Sequence, residues 1–218
     1  MLLKLKDPGS SITHFIAAII TLIAGIALII QANNTGHIVH LVAMFIFIIS
    51  MFLLYTASTL YHSIKCSAKI HLRLKKFDHM MISVLIAGTY TPICLIVLDK
   101  KLGIIYLLLI WSIAIIGILI KAFWVTCPRI FSSILYIAMG WLCVFAFSPL
   151  IEKLPLIAFL LLIGGGVIYT IGGIIYALKL PIFNAKHKYF GSHEIFHLFV
   201  MGGSVCHFML MYIYLVNM

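Results

Sequence analysis

The sequence predicts an all-α integral membrane protein, with seven transmembrane helices bundled into one domain over residues 1–218. Hydrophobic residues make up 64% of the chain and charged residues only 9%, whereas a soluble domain carries about 25% charged residues. The apolar residues form long continuous segments without the alternation typical of barrel strands, and helices satisfy their backbone polar groups internally. This composition argues against a soluble enzyme, a disordered chain and a nucleic-acid-binding module.

Seven apolar segments reach the length of roughly 20 residues that a membrane-crossing helix needs. They cover about 12–30, 38–62, 77–98, 103–120, 130–150, 156–178 and 192–216. The first segment is too long for the core of a signal peptide, so we interpret it as a retained span. Pro92 lies inside the third segment and predicts a kink there.

The basic residues predict how the chain crosses the membrane. Alternate connections place twelve of the fifteen Lys and Arg side chains on one side, and only Lys100, Lys101 and Lys153 on the other. Because basic residues concentrate in short cytoplasmic loops, we expect the N-terminus in the cytoplasm and, after seven crossings, the C-terminus outside. The formal net charge of +10 therefore indicates membrane orientation and not a nucleic-acid partner.

Small residues suggest packing and not chemistry. The sixth segment carries Gly164, Gly165 and Gly166 and then Gly172 and Gly173, which predicts close contact with a neighbouring helix.

The five cysteines are scattered, with no Cys-x-x-Cys pair, and indicate neither a disulfide framework nor a thiolate metal site.

Few ionisable residues are predicted inside the spans, where each is costly unless it is paired, hydrated or metal-bound. Asp78 begins the third span and Glu194 the seventh, whereas the other three acids, Asp7, Asp99 and Glu152, fall in tails or loops. We interpret five histidines as interfacial side chains: His14, His37, His40, His71 and His187.

The predicted topology brings three helix ends together. The second span ends where the third and seventh begin, which places five polar residues at one membrane depth: Ser58, His62, Asp78, His193 and His197. His193 and His197 are four residues apart, so both imidazoles can reach one ion from the same helix face. Three imidazoles with a water in the fourth position form a known zinc arrangement, and a nearby carboxylate can orient that water. The alternative is a group of interfacial histidines that bond headgroups or each other.

Residues 193–197 also match H-E-x-x-H, the zinc metalloprotease signature in which the glutamate is the general base. No partner motif elsewhere supplies the usual third protease ligand. The match is therefore weak support for a protease, but it supports a pair of histidines on one helix.

These residues resemble the hemolysin III family, in its bacterial branch. The family belongs with the progestin and adipoQ receptors, which include the adiponectin receptors, and is more distantly similar to alkaline ceramidases. The motifs that carry the resemblance run in order along nearly the whole chain: Ser58–His62, Phe77–His79, Ile86–Pro92, Tyr136–Trp141, Gly172–Tyr176 and His193–His197.

The resemblance implies a seven-helix protein of the bacterial cell membrane that holds Zn²⁺ at its cytoplasmic side. It implies that His62, His193 and His197 are the zinc ligands and that Asp78 and Ser58 lie near the zinc-bound water as catalytic residues. It also implies a membrane lipid or fatty acid in an intramembrane cavity.

Three functions follow from this resemblance. The first is a zinc-dependent hydrolase of lipid amide or ester bonds that influences membrane fluidity. The second is a non-enzymatic sensor or regulator of membrane lipids with a structural zinc. The third is a cytolytic pore, for which the sequence offers no continuous polar face along a span.

Overall fold

The computed structural model describes residues 5–178 and 190–218, and this part of the chain is a bundle of helices. Its eight α-helices are α1 Pro8–Asn34, α2 Ile38–Ser63, α3 Ala68–Pro92, α4 Lys100–Phe123, α5 Arg129–Gly140, α6 Phe147–Lys153, α7 Leu156–Leu178 and α8 Ser192–Met209. A 3₁₀ segment, Trp141–Ala146, joins α5 to α6, so the two form one span. A π-helical turn and a 3₁₀ turn extend α8 to Asn217.

The prediction of seven spans is confirmed. Within the described ranges, seven helices are long and apolar enough to cross a membrane. They are Pro8–Asn34, Ile38–Ser63, Ala68–Val97, Lys100–Phe123, Arg129–Lys153, Leu156–Leu178 and Ser192–Asn217. The chain is therefore a multi-pass membrane protein, and its direction through the membrane stays a prediction.

The first and third helices begin well before the predicted apolar segments do. The first begins at Pro8, because proline has no N–H to leave unpaired and its fixed φ suits the first helical position. The third begins at Ala68, and its first turns carry basic side chains. Lys and Arg are good helix formers, and their long side chains can reach water from a membrane interface, so the helix continues beyond its apolar part.

The third span changes its winding directly after Pro92, where the sequence predicts a kink. Proline has no N–H to donate to the carbonyl of Gly88 four residues earlier. The chain continues as a π-helical turn over Ile93–Val97. A π turn is a common way for a helix to absorb such an interruption.

Glycines bring α7 and α8 into close contact. A Cβ at Gly165 would lie 2.7 Å from Nε2 of His207, and a Cβ at Gly172 would lie 2.7 Å from Cβ of Phe199. By contrast, a Cβ at Gly164 would meet nothing within 4 Å. The predicted packing role is thus confirmed for Gly165 and Gly172, which face α8.

Hydroxyl groups join three helices in the bundle interior. Tyr55 of α2 donates its hydroxyl to Oγ of Ser204 in α8 at 2.6 Å. The hydroxyl of Tyr169 in α7 lies 2.8 Å from the same Oγ. These contacts satisfy buried polar groups that lipid could not.

Candidate metal centre

Three histidines converge where α2 ends and α8 begins. His62 lies in the last turn of α2, and His193 and His197 occupy the first two turns of α8. One ligand nitrogen of each lies within 4.8 Å of the other two. Nε2 of His62 and Nε2 of His193 are 3.2 Å apart. The structure therefore brings together the three residues that the sequence predicts as ligands, and this cluster could hold a metal ion.

A carboxylate orients the first of these rings. Oδ2 of Asp7 lies 3.0 Å from Nδ1 of His62, so Nδ1 carries the proton and donates it to Asp7. The lone pair of Nε2 then lies on the side of the cluster, where Nε2 of His193 is 3.2 Å away. A carboxylate behind a ligand histidine is a recurrent feature of protein metal sites.

The start of α1 holds Asp7 in this position. The backbone N–H of Asp7 donates to the carbonyl of His62 at 2.9 Å, and Lys6 Nζ lies 2.9 Å from the same Oδ2 that His62 uses. Burial acts to raise the pKa of the Asp7 carboxyl, but the hydrogen bonds from Lys6 and His62 outweigh it and hold that pKa below its usual value. Asp7 is therefore ionised at neutral pH.

A second contact from α1 orients His197. Oγ1 of Thr13 lies 3.3 Å from Nδ1 of His197 and 3.0 Å from the carbonyl oxygens of Gly9 and Ser10. If the hydroxyl donates to one of those carbonyls, its oxygen accepts the proton of Nδ1. Nε2 of His197 is then free on the side of the cluster, as in His62.

The donor set fits a tetrahedral transition-metal ion such as zinc. Zn–N bonds of about 2.0–2.1 Å at tetrahedral angles place two ligand nitrogens about 3.3 Å apart. The 3.2 Å between His62 and His193 matches this separation, and the ligand nitrogen of His197 lies within 4.8 Å of both. Three imidazoles leave a fourth position open, as in zinc sites that perform chemistry.

His14 also belongs to this site, although the sequence suggests an interfacial position. Its side chain is 3% exposed and lies on the inner face of α1. Its ring is stacked on that of His197, with centroids 3.7 Å apart and planes at 8°. Neither ring nitrogen has a hydrogen-bond partner among the described residues.

A cavity opens beside the cluster and runs along α8 into the bundle. At one end it is lined by polar side chains: His14, Ser58, Asp78, His193 and His197. Further in, its walls are mainly apolar and include Leu85, Ile93, Leu162 and Val200. His207 also lines it, ten residues beyond His197, which is about 15 Å along a helix. The cavity thus extends from the histidines into the bundle, where polar side chains such as Thr89, Tyr169 and His207 also line its mainly apolar walls.

Comparison with known proteins assigns the family. The model of a family described as haemolysin-III related matches residues 3–208. The chain belongs to the haemolysin-III-related family. It is 43% identical to Hemolysin-3 of Bacillus cereus over 204 residues, which are 93% of this chain and 89% of that protein. It is 40% identical to the Hemolysin-3 homolog of Bacillus subtilis (strain 168) over 212 residues, which are 97% of this chain and 95% of that protein.

The two predicted catalytic residues of this haemolysin-III-related chain both line the cavity. Ser58 is 2% exposed and lies one turn before His62 on α2. Asp78 lies in α3, where its Oδ2 is 3.4 Å from Nδ1 of His79. Asp78 is not among the three residues whose ligand atoms converge, and its place near a metal-bound water stays a prediction.

Glu194 has a structural role in this haemolysin-III-related protein. Its Oε1 accepts a hydrogen bond from Oγ of Ser10 at 2.5 Å, and its Oε2 accepts one from the backbone N–H of Gly191 at 2.9 Å. One carboxylate oxygen therefore caps the N-terminus of α8, and the other joins α8 to α1. The geometry does not favour the general-base role that H-E-x-x-H has in metalloproteases.

Proposed function

We propose that this protein is a zinc-dependent hydrolase of the bacterial cell membrane that cleaves lipid amide or ester bonds at the cytoplasmic leaflet and so influences membrane fluidity. One observation carries the proposal: two of the three clustered imidazoles, His193 and His197, line a cavity that reaches into the bundle and has mainly apolar walls. Such a cavity suits a molecule with a polar head and a long acyl chain.

Zinc is a metal that the donor set suits. Imidazole ligands suit zinc. Asp7 contacts Nδ1 of His62 and Thr13 contacts Nδ1 of His197, so the Nε2 lone pair of each ring is directed toward the cluster. When bound, zinc would supply a water of lowered pKa and a Lewis acid for a carbonyl oxygen.

The remaining residues at the polar end would serve the reaction. Asp78 has one oxygen beside His79 and would use the other, Oδ1, to accept a proton from the attacking water and pass it to the leaving group. The Ser58 hydroxyl would hydrogen-bond a polar atom of the head group. The apolar walls would hold the acyl chain and exclude bulk water.

A second function has one observation in its favour. The histidine cluster joins α2 to α8 directly, and Asp7 and Thr13 add α1 through their contacts with His62 and His197. A metal that only fastened these helices would suit a non-enzymatic sensor or regulator of membrane lipids.

The test is metal content combined with hydrolysis. Purified protein in lipid nanodiscs is analysed for zinc and incubated with a panel of ceramides and phospholipids, and released fatty acid is measured by mass spectrometry. We expect one zinc per chain and fatty-acid release, both lost in His197→Ala and both kept in His71→Ala, whose ring stacks on Tyr61 and does not line the cavity.

The two functions predict different outcomes. A protein with stoichiometric zinc that releases no fatty acid from the whole panel contradicts the hydrolase. A folded, zinc-free His197→Ala variant with undiminished thermal stability contradicts a purely structural metal.

A further inference from the structure

His14 differs from the other histidines of the site in its hydrogen bonding. His62 bonds Asp7, His197 contacts Thr13, and His193 lies beside His62. His14 is just as deeply buried, yet both of its ring nitrogens lack a hydrogen-bond partner among the described residues. A neutral imidazole carries one N–H donor in either tautomer, and leaving a buried donor without an acceptor is unfavourable.

Two aromatic rings pack against His14, and the cavity lies beside it. One face is covered by His197, and the Tyr55 ring approaches at 5.0 Å and 67°. The residue also lines the cavity, at the end that holds Ser58 and Asp78. An acceptor for its N–H would therefore come from a molecule inside the cavity.

The stacking argues against His14 as a fourth metal ligand. An imidazole binds a metal through a lone pair in the plane of its ring, so an ion on His197 lies close to the plane of that ring. The His14 plane is nearly parallel to it and about one stacking distance away, with an interplanar angle of 8°. His14 cannot direct a nitrogen lone pair at the same ion without leaving the stack, so its N–H remains for an acceptor in the cavity that it lines.

We propose that His14 binds the polar head of the cavity's occupant, by donating a hydrogen bond to the carboxylate or carbonyl oxygen of a fatty acyl group beside the metal. This rests on the proposed function, because it takes the occupant to be an acyl lipid. His14 is then a substrate-positioning residue, contributed by a helix that supplies no metal ligand. An ester, an amide and a free fatty acid all offer such an oxygen as the hydrogen-bond acceptor.

The test uses palmitate and the full-length protein in nanodiscs. Binding is measured by displacement of a fluorescent fatty acid, and zinc content is measured in the same samples. We expect His14→Phe, which keeps an aromatic ring on His197, to retain zinc and to bind palmitate at least tenfold more weakly. Hydrogen bonds to charged groups contribute about 1.5–3 kcal/mol, and 1.4 kcal/mol is tenfold in affinity.

Three controls test whether weaker palmitate binding comes from the lost His14 hydrogen bond. His71→Phe alters a histidine at the same end of the bundle that does not line the cavity, and it should bind palmitate as the wild type does. His14→Asn keeps an N–H donor and should recover part of the affinity. Hexadecane, which has a chain and no head group, should displace the probe equally from wild type and His14→Phe.

Three results would overturn the inference. They are unchanged palmitate affinity in His14→Phe, loss of zinc from that variant, and absence of palmitate binding to the wild type. If His14→Phe does not fold, a structure of the wild type with palmitate decides the question, because a carboxylate oxygen beyond hydrogen-bond distance of both His14 nitrogens overturns it. Palmitate binding can depend on His14 even if no lipid is hydrolysed, so failure of the hydrolase proposal is a separate outcome.

Discussion

Replacement of Asp7 by asparagine should weaken metal binding about tenfold. The substitution keeps the shape of the side chain but replaces a charged acceptor by a neutral amide. In the wild type this acceptor is Oδ2 of Asp7, which lies 3.0 Å from Nδ1 of His62. Loss of such an outer partner costs about 10–100-fold in metal affinity. Because the Asp7 side chain is 41% exposed, water can replace part of the interaction, and we expect the lower end of this range, about 1.4 kcal/mol.

The assay is competition for zinc between the purified protein and a chelator of known affinity, at neutral pH, where Asp7 is ionised. Asp99→Asn is the matched control. It removes the same charge from an exposed aspartate that pairs with a lysine, here Lys153 at 2.5 Å, and Asp99 lies directly before α4, away from the histidines. A change below twofold in Asp7→Asn, or an equal loss in Asp99→Asn, would refute the reasoning.

Two further predictions concern stability and the role of the acid between the paired histidines. Gly165→Ala should lower the unfolding free energy by about 1–3 kcal/mol, because its Cβ would overlap the His207 ring, and Gly164→Ala should leave the thermal midpoint in detergent unchanged. A similar midpoint for both variants would contradict this. Glu194→Gln should keep hydrolytic activity within about tenfold and lower stability by roughly 1 kcal/mol, since its two oxygens accept structural hydrogen bonds. Glu152→Gln, an exposed site, is its control, and a loss of several orders of magnitude in Glu194→Gln alone would instead indicate a general base.

The spans and the convergence of the three clustered histidines could be predicted from the sequence for a common physical reason. Lipid imposes a length on each helix, so counting residues places each one at a definite depth. Residues of different helices at the same depth, such as His62 and His193, are then candidates for contact even when 131 positions separate them. Depth does not give rotation about the helix axis, so the sequence could not show that Asp78 turns one oxygen toward His79.

The sequence argument misses Asp7 and His14 because it places the first in the N-terminal tail and the second at the membrane interface. Asp7 precedes the first apolar segment, and the prediction began that span about four residues too late. The proline at position 8 is a start signal that could have corrected this. For His14, the available signal was a polar and small-residue stripe at helical spacing, Ser10, His14, Ala18 and Thr21, which marks the inward face of a membrane helix.

The contacts of α1 have a thermodynamic consequence. Asp7 and Thr13 contact two of the three candidate ligands. Metal binding would therefore stabilise the packing of α1 on the bundle, and the packing of α1 would raise metal affinity by the same coupling free energy. Removing the metal should therefore loosen the first helix before the rest of the bundle. Conversely, any change in the membrane that pulls this helix away would reduce metal affinity, without altering a single ligand.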